Sequence, residues 1–176
     1  MTAQLTLAEY HELIRQGKFT PGERVELIAG RLHPMSPKGT RHSECCRRLL
    51  HLLPPLLPPN TLLQCQDPIT LPGDNEPEPD IAIVKHDVYL QRHPTPAEIL
   101  LVIEIADTSL EYDRTIKAPL YAQAGIPTYW LVNLVENQVE VFSQPAPHGY
   151  QQQTIYTPEQ SVPVFETTIP CADFLP

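Results

Sequence analysis

Apolar positions along the chain follow two spacings, one helical and one extended, with Gly and Pro marking the changes from one to the other. Thr6-Leu7-Ala8-Glu9 has the form of a capping box. It predicts a first helix from about Leu7 to Gln16, with Glu9 closing its N-terminus and Gly17 stopping it. Arg24–Ile28 and Arg31–Met35 flank Ala29-Gly30, a two-residue hairpin signal with Gly where positive φ is needed. From Thr40 to Leu53, residues Cys45, Cys46, Leu49, Leu50 and Leu53 fall at helical spacing, and Pro54-Pro55 ends that second helix.

Thr61–Cys65 reads as a short strand. The Pro-rich, acidic stretch Leu71–Pro79 reads as a loop that delivers the chain into a strand over Asp80–Val84. Ile99–Ile105 is a continuous β-branched and leucine run, the pattern of a central strand covered on both faces, and its single charge is Glu104. The pattern turns helical from about Leu110 to Ala124 and closes on Gly125, with Pro119 inside it as a predicted kink. Thr128–Val132 and Gln138–Phe142 read as a hairpin around Glu136-Asn137, and the tail from Tyr150 as edge strands and loops. Strands and helices interleaved in this way predict an α/β domain.

Composition narrows the picture. The 176 residues fit one domain, 1–176, and 41% apolar with 19% charged residues is ordinary for a globular chain. No long uncharged apolar run argues for a membrane span, and Met1-Thr2-Ala3-Gln4 lacks the basic flank of a secretion signal, so a cytoplasmic protein is expected. Cys45, Cys46, Cys65 and Cys171 form no C-x-x-C pair and are read as reduced thiols. The net charge of −9 has the wrong sign for holding nucleic acid by the overall field. Any such contact must be local. Lys38, Arg41, Arg47 and Arg48 are the candidates, although a solvated helix face explains that run as well.

Candidate chemistry centres on Glu104. An unpaired carboxylate in the most apolar strand would cost several kcal/mol or take up a proton. Asp80 opens another buried strand. If the two strands are neighbours, both acids project into one cleft, where Mg²⁺ would relieve desolvation and mutual repulsion and keep positions free for phosphate oxygens. Lys117 lies on the following helix with Asp113 and Tyr121 four residues to either side, so the three share a face. A lysine there could orient or deprotonate water, or neutralise charge on a phosphate. Each residue also has a plainer reading: Asp80 as a strand-opening turn residue, Lys117 as the salt-bridge partner of Glu104 or an i,i+4 partner of Asp113, Tyr121 and Trp130 as core.

The order Pro79-Asp80, then Glu104 within Val102–Ile105, then Ser109, Asp113, Lys117, Tyr121 and Gly125–Val132 resembles the PD-(D/E)XK nuclease superfamily. Within it the chain resembles the "Uma two" group of restriction-endonuclease-like proteins, with Val25–Leu32 and His42 matching that group's N-terminal strand pair and the opening of its second helix. The superfamily's catalytic lysine follows the second acid by two residues, but Ala106 stands there, and Lys117 resembles the migrated lysine of this group. The resemblance implies a restriction-endonuclease-like core, a central mixed β-sheet flanked by helices, with an N-terminal helix and hairpin. It further implies Mg²⁺, with Mn²⁺ as a substitute, held by Asp80, Glu104, the Ile105 carbonyl and waters, and Glu26 as an accessory acid.

Three functions compete at this point. The first is a metal-dependent DNA endonuclease, for which a two-fold homodimer would match the duplex. The second is a catalytically silent nuclease-like fold serving as a DNA-binding or oligomerisation module. The third is a metal-free acid/base hydrolase using Asp80 and Glu104, which the lack of clustered aromatics disfavours.

Overall fold

The computed structural model describes residues 4–176; Met1-Thr2-Ala3, part of the stretch read for want of a secretion signal, lies outside the described residues. The capping box forms as predicted and opens α1, Leu7–Arg15, with both reciprocal hydrogen bonds between Thr6 and Glu9 present. The hairpin β1 (Val25–Ile28) and β2 (Arg31–Pro34) turns through Ala29 at φ +49° and Gly30 at φ +70°. A Cβ at Gly30 would stand 2.9 Å from the Leu5 carbonyl, so the position needs glycine for space as well as for φ. This pair is a separate two-stranded sheet. It is tied to the acidic loop by the Leu27–Glu76 bridge and by Ala29 N–H donating to Asn75 Oδ1 at 2.6 Å.

The second helix, α2, runs Thr40–Leu52 and passes at Pro54 into a short 3₁₀ turn, because the two prolines cannot continue an α-helix. The main sheet contains β3 (Thr61–Cys65), β4 (Ile81–Lys85), β5 (Ile99–Ala106), β6 (Thr128–Asn133), β7 (Gln138–Ala146) and β8 (Gly149–Tyr156) in that spatial order. Every neighbour is antiparallel except β5–β6, which is parallel and therefore needs a crossover. The sheet is thus mixed and central, with β5 between two neighbours and buried on both faces, as its apolar run predicts.

One face of the sheet, carrying Ile81, Ile83, Leu101, Ile103, Ile105, Trp130 and Val132, packs on α2 and on the hairpin β9 (Ser161–Val164) and β10 (Thr167–Pro170). Trp130 is fully buried there, parallel to Phe174, as its place in an apolar strand predicts. The other face, with Ala82, Val102, Ala106, Tyr129 and Leu131, packs on the crossover helix. The tail supplies the outermost strand β8 and the β9–β10 pair, in line with the edge strands expected. All four cysteines are free thiols, and among the described residues no helix is long and apolar enough to cross a membrane.

The crossover departs from its predicted shape. It begins as α3, Leu110–Tyr112, continues as a π turn over Asp113–Lys117, and ends as α4, Ala118–Gln123. Ala118 N–H reaches back five residues to the Asp113 carbonyl, and the next residue, Pro119, has no N–H to contribute. The register shift therefore absorbs the proline where a kink is predicted. It also turns both Asp113 and Lys117 inward.

Candidate active site

The β4–β5 register pairs Ile81 with Ile103, so one residue further back Asp80 stands opposite Glu104. The strand pairing stops at Ile81, and the Asp80 N–H instead donates to Glu104 Oε2 at 3.3 Å. Asp80 Oδ2 accepts the Ile105 N–H at 2.9 Å and pairs with His42 Nε2 at 2.8 Å, His42 coming from the first turn of α2. Its other oxygen, Oδ1, faces Lys38 Nζ at 3.6 Å. Burial works to raise the Asp80 carboxyl, but the bonds from His42 and Ile105 and the Lys38 charge hold it below the ordinary aspartate value.

Glu104 Oε1 accepts from Lys117 Nζ at 3.0 Å and from the Tyr121 hydroxyl at 2.7 Å. Lys117 also meets Glu26 Oε2 at 3.0 Å and Asp113 Oδ1 at 3.9 Å, while Asp113 accepts from Ser109 Oγ at 2.6 Å. Four carboxylates and one ammonium thus sit together, each residue at 8% exposure or less. Burial pushes Glu104 up to about 8, with Asp113, Asp80 and Glu26 adding repulsion that Lys117 only partly offsets. Asp113 rises to about 6 for the same first reason. Burial alone would pull Lys117 down, but Glu104, Glu26 and Asp113 together hold it above the ordinary lysine value. One lysine gains from three anions, whereas one glutamate repels three and attracts one. The charge is therefore unequally compensated.

These groups line a cleft of about 410 Å³ at the C-terminal end of β5, closed on one side by the β2–α2 loop and on the other by α3. Asp80, Glu104, Ile105, Lys117, Glu26, His42, Ser109 and Asp113, singled out from sequence, all line it. Tyr121 lies beneath it, fully buried, and joins through its hydroxyl. Of the basic candidates only Lys38 reaches the cleft. Arg47 and Arg48 both pair with Glu44 along α2, and Arg41 is exposed outside the cleft lining. Sequence reasoning missed Tyr112 and His33, whose rings meet at 5.5 Å across the mouth. Spacing alone carries no signal for a contact between a hairpin and a crossover helix.

Among the described residues, no three His, Cys, Asp or Glu side chains converge on one position suited to an ion. A set of two carboxylates completed by a backbone carbonyl and waters does not require three, and hard oxygen donors of this kind match Mg²⁺ or Mn²⁺. The carboxylates outnumber the cations beside them, Lys117 and, at the edge, Lys38 3.6 Å from Asp80, and a donor set of that charge is one a divalent cation would suit.

The fold is similar to that of a solved structure titled a "putative nuclease belonging to DUF820" from Anabaena variabilis, with a TM-score of 0.73, 20% identity and 97% of each chain covered. No curated protein matches the chain. A family model matches residues 7–170, and the chain accordingly belongs to the Uma2 family, described as "Putative restriction endonuclease".

Proposed function

We propose that the protein is a Mg²⁺-dependent endonuclease that hydrolyses phosphodiester bonds in DNA, with Asp80 and Glu104 as metal ligands and Lys117 as the fixed cation of the site. The observation that carries this reading is the meeting of Asp80 and Glu104 at one end of β4 and β5, with Lys117 bonded to Glu104 from the following helix. The migrated-lysine arrangement expected from sequence is supported by that placement. Asp80 Oδ1 accepts no hydrogen bond within 3.5 Å and is the free donor atom, while the Ile105 N–H donated to Asp80 directs that residue's carbonyl to the same side of β5. When bound, the ion would lower the pKa of a coordinated water and polarise the P–O bond.

The protein's own groups have separable tasks. His42 and the Ile105 amide fix the Asp80 carboxylate and keep it charged. Tyr121 and Lys117 orient Glu104. Lys117, which Glu104, Glu26 and Asp113 hold above the ordinary lysine value against its burial, acts by charge and by holding Glu26 and Glu104. A two-fold dimer, one site per strand of the duplex, is the assembly this reading favours.

Calorimetric titration with Mn²⁺ beside a plasmid-nicking assay tests the proposal. The wild-type chain is expected to bind Mn²⁺ and nick only with metal; Glu104→Gln should lose both, and Lys117→Met should bind Mn²⁺ and fail to nick. Undiminished Mn²⁺ affinity in Glu104→Gln, or nicking that survives chelation, would sink it. A chain that binds Mn²⁺ and duplex but never cuts would favour the silent DNA-binding module, which the displaced lysine keeps in view.

A further inference from the structure

Two lysines enter the cleft, and their surroundings differ. Lys117 Nζ has carboxylate oxygens at 3.0, 3.0 and 3.9 Å and a side chain only 6% exposed, so its donors are already spent on the protein. Lys38 Nζ has no hydrogen-bond partner among the described residues; Asp80 Oδ1 lies at 3.6 Å, beyond ordinary hydrogen-bond reach. The Tyr112 hydroxyl is likewise shielded from solvent and without a partner. Lys38 comes from the β2–α2 loop and Tyr112 from α3, yet both line the cleft that holds Asp80. Buried polar atoms are normally satisfied, and among the described residues three of this cleft are not: His42 Nδ1, whose ring is already held through Nε2 on Asp80, and the two donors of Lys38 and Tyr112, which point to an acceptor that arrives with the substrate. A lysine is a compact cationic donor well suited to phosphate.

We propose that Lys38 takes a non-bridging oxygen of the phosphodiester beside Asp80, with Tyr112 a second donor to the substrate from the α3 side of the cleft, and that Lys117 does not touch the substrate but serves as counter-ion to the buried acids. This rests on the nuclease reading given above, and it assigns the contact with phosphate to a different lysine from the one the sequence motif singles out. Lys38 bonds no group among the described residues, stands within 4 Å of the free oxygen of Asp80, and is carried by a loop whose side chains are largely solvent-facing. An anion beside Asp80 would meet this ammonium first. Tyr112, its ring held against His33, would supply a neutral second donor to the substrate from the α3 side of the cleft.

The experiment measures binding of a fluorescein-labelled DNA duplex by anisotropy in Ca²⁺, across a salt series, for wild type, Lys38→Met, Lys38→Arg, Tyr112→Phe and Lys117→Met. Mn²⁺ affinity and thermal midpoint are followed in parallel. Loss of one phosphate contact should weaken binding about tenfold in Lys38→Met and flatten the log–log salt slope by about 0.9. Lys38→Arg should recover the slope, Tyr112→Phe should weaken binding with the slope kept, and Lys117→Met should keep the slope, since it makes no phosphate contact, even where the acids it strands lower the affinity. Mn²⁺ affinity should not fall in Lys38→Met, since a cation beside Asp80 has been removed. A wild-type slope and affinity in Lys38→Met would overturn the subsite, as would a slope lost in Lys117→Met or a wild-type chain that binds no duplex. Failure of the nuclease reading is seen separately, in the wild-type chain binding duplex with the expected slope but never cutting it in Mg²⁺ or Mn²⁺.

Discussion

Two buried glutamates stand in the same row of the main sheet, on the same face, two strands apart: Glu104 of β5 pairs across to Leu131, and Leu131 to Glu140 of β7. At 4% and 1% exposure they are equally removed from water. Glu140 accepts from Arg114, from Asn133 Nδ2 at 2.9 Å and from Gln153 Nε2 at 3.0 Å, and these bonds outweigh burial and hold its carboxyl below the ordinary value. Glu104 has two donors on one oxygen and a longer one, the Asp80 N–H, on the other; burial first, and then the three other acids around its lysine, push its carboxyl up to about 8. Burial alone therefore does not mark a functional acid. The distinguishing property is a carboxylate whose surroundings leave it short of positive charge.

The contrast can be broken most forcefully at the cations. Lys117→Met keeps the volume but strands Glu26, Glu104 and Asp113, and should destabilise the metal-free protein by about 3–5 kcal/mol. Arg114→Met should cost clearly less, because Arg114 is 34% exposed and water can replace it. Urea midpoints for the two variants check the order.

Neutralising the acids sharpens it. Glu140→Gln should destabilise by about 1–3 kcal/mol, since an acceptor of several charged and neutral donors is lost. Glu104→Gln should be neutral or stabilising at pH 8 without metal, for a buried anion is removed. If both substitutions destabilise alike, the two glutamates do the same job and the distinction fails.

The pH dependence of the metal-free protein should carry opposite signs from the two sites. Glu104 is raised from 4.5 to about 8, so the folded state keeps a proton the unfolded chain has released, and stability should fall as pH rises through that window. Glu140 is lowered, so its contribution is present above the ordinary value and is lost only as pH drops below it. Thermal midpoints from pH 5 to 8 should decline in wild type and lose most of that decline above pH 6 in Glu104→Gln, where Asp113, raised to about 6, still contributes below it. The smallest effect is expected from Tyr121→Phe, about 1 kcal/mol for one hydrogen bond to Glu104, read from the same urea curves.

These residues also show how far the sequence could be read. Glu104 is legible because a lone charge in Ile99–Ile105 has no place to go without a partner. The strand pair β4–β5 follows from two apolar runs, and it brings Asp80 along. Glu140 is not legible: the alternation Gln138-Val139-Glu140-Val141 looks like a solvent-facing polar row, but the crossover's Arg114 and the next strand's Gln153 cover it. Lys38 is legible only as one cation of a basic run, with nothing to set it apart from Arg41, Arg47 and Arg48, and Tyr112 escapes altogether. Each sits in a segment whose course depends on tertiary docking, and neither breaks any local pattern. The π turn is invisible because a one-residue shift leaves the apolar spacing around Ala118, Tyr121 and Ala122 almost unchanged.

That turn has a bearing on how the chain tolerates change in length. A π turn holds one residue more than the α-helical course through the same ends, and that surplus lies between Asp113 and Lys117. Deleting Thr115, whose hydroxyl bonds only the Glu111 carbonyl one turn back, would let the crossover heal into a regular helix. The two ends would keep their places, with Tyr121 still anchoring α4 in the core, and Asp113 would stand three residues before the lysine where it now stands four, on a turn of ordinary width. The wide turn thus sets the spacing at which Asp113 meets Lys117, and shortening it would trade that spacing for helical regularity.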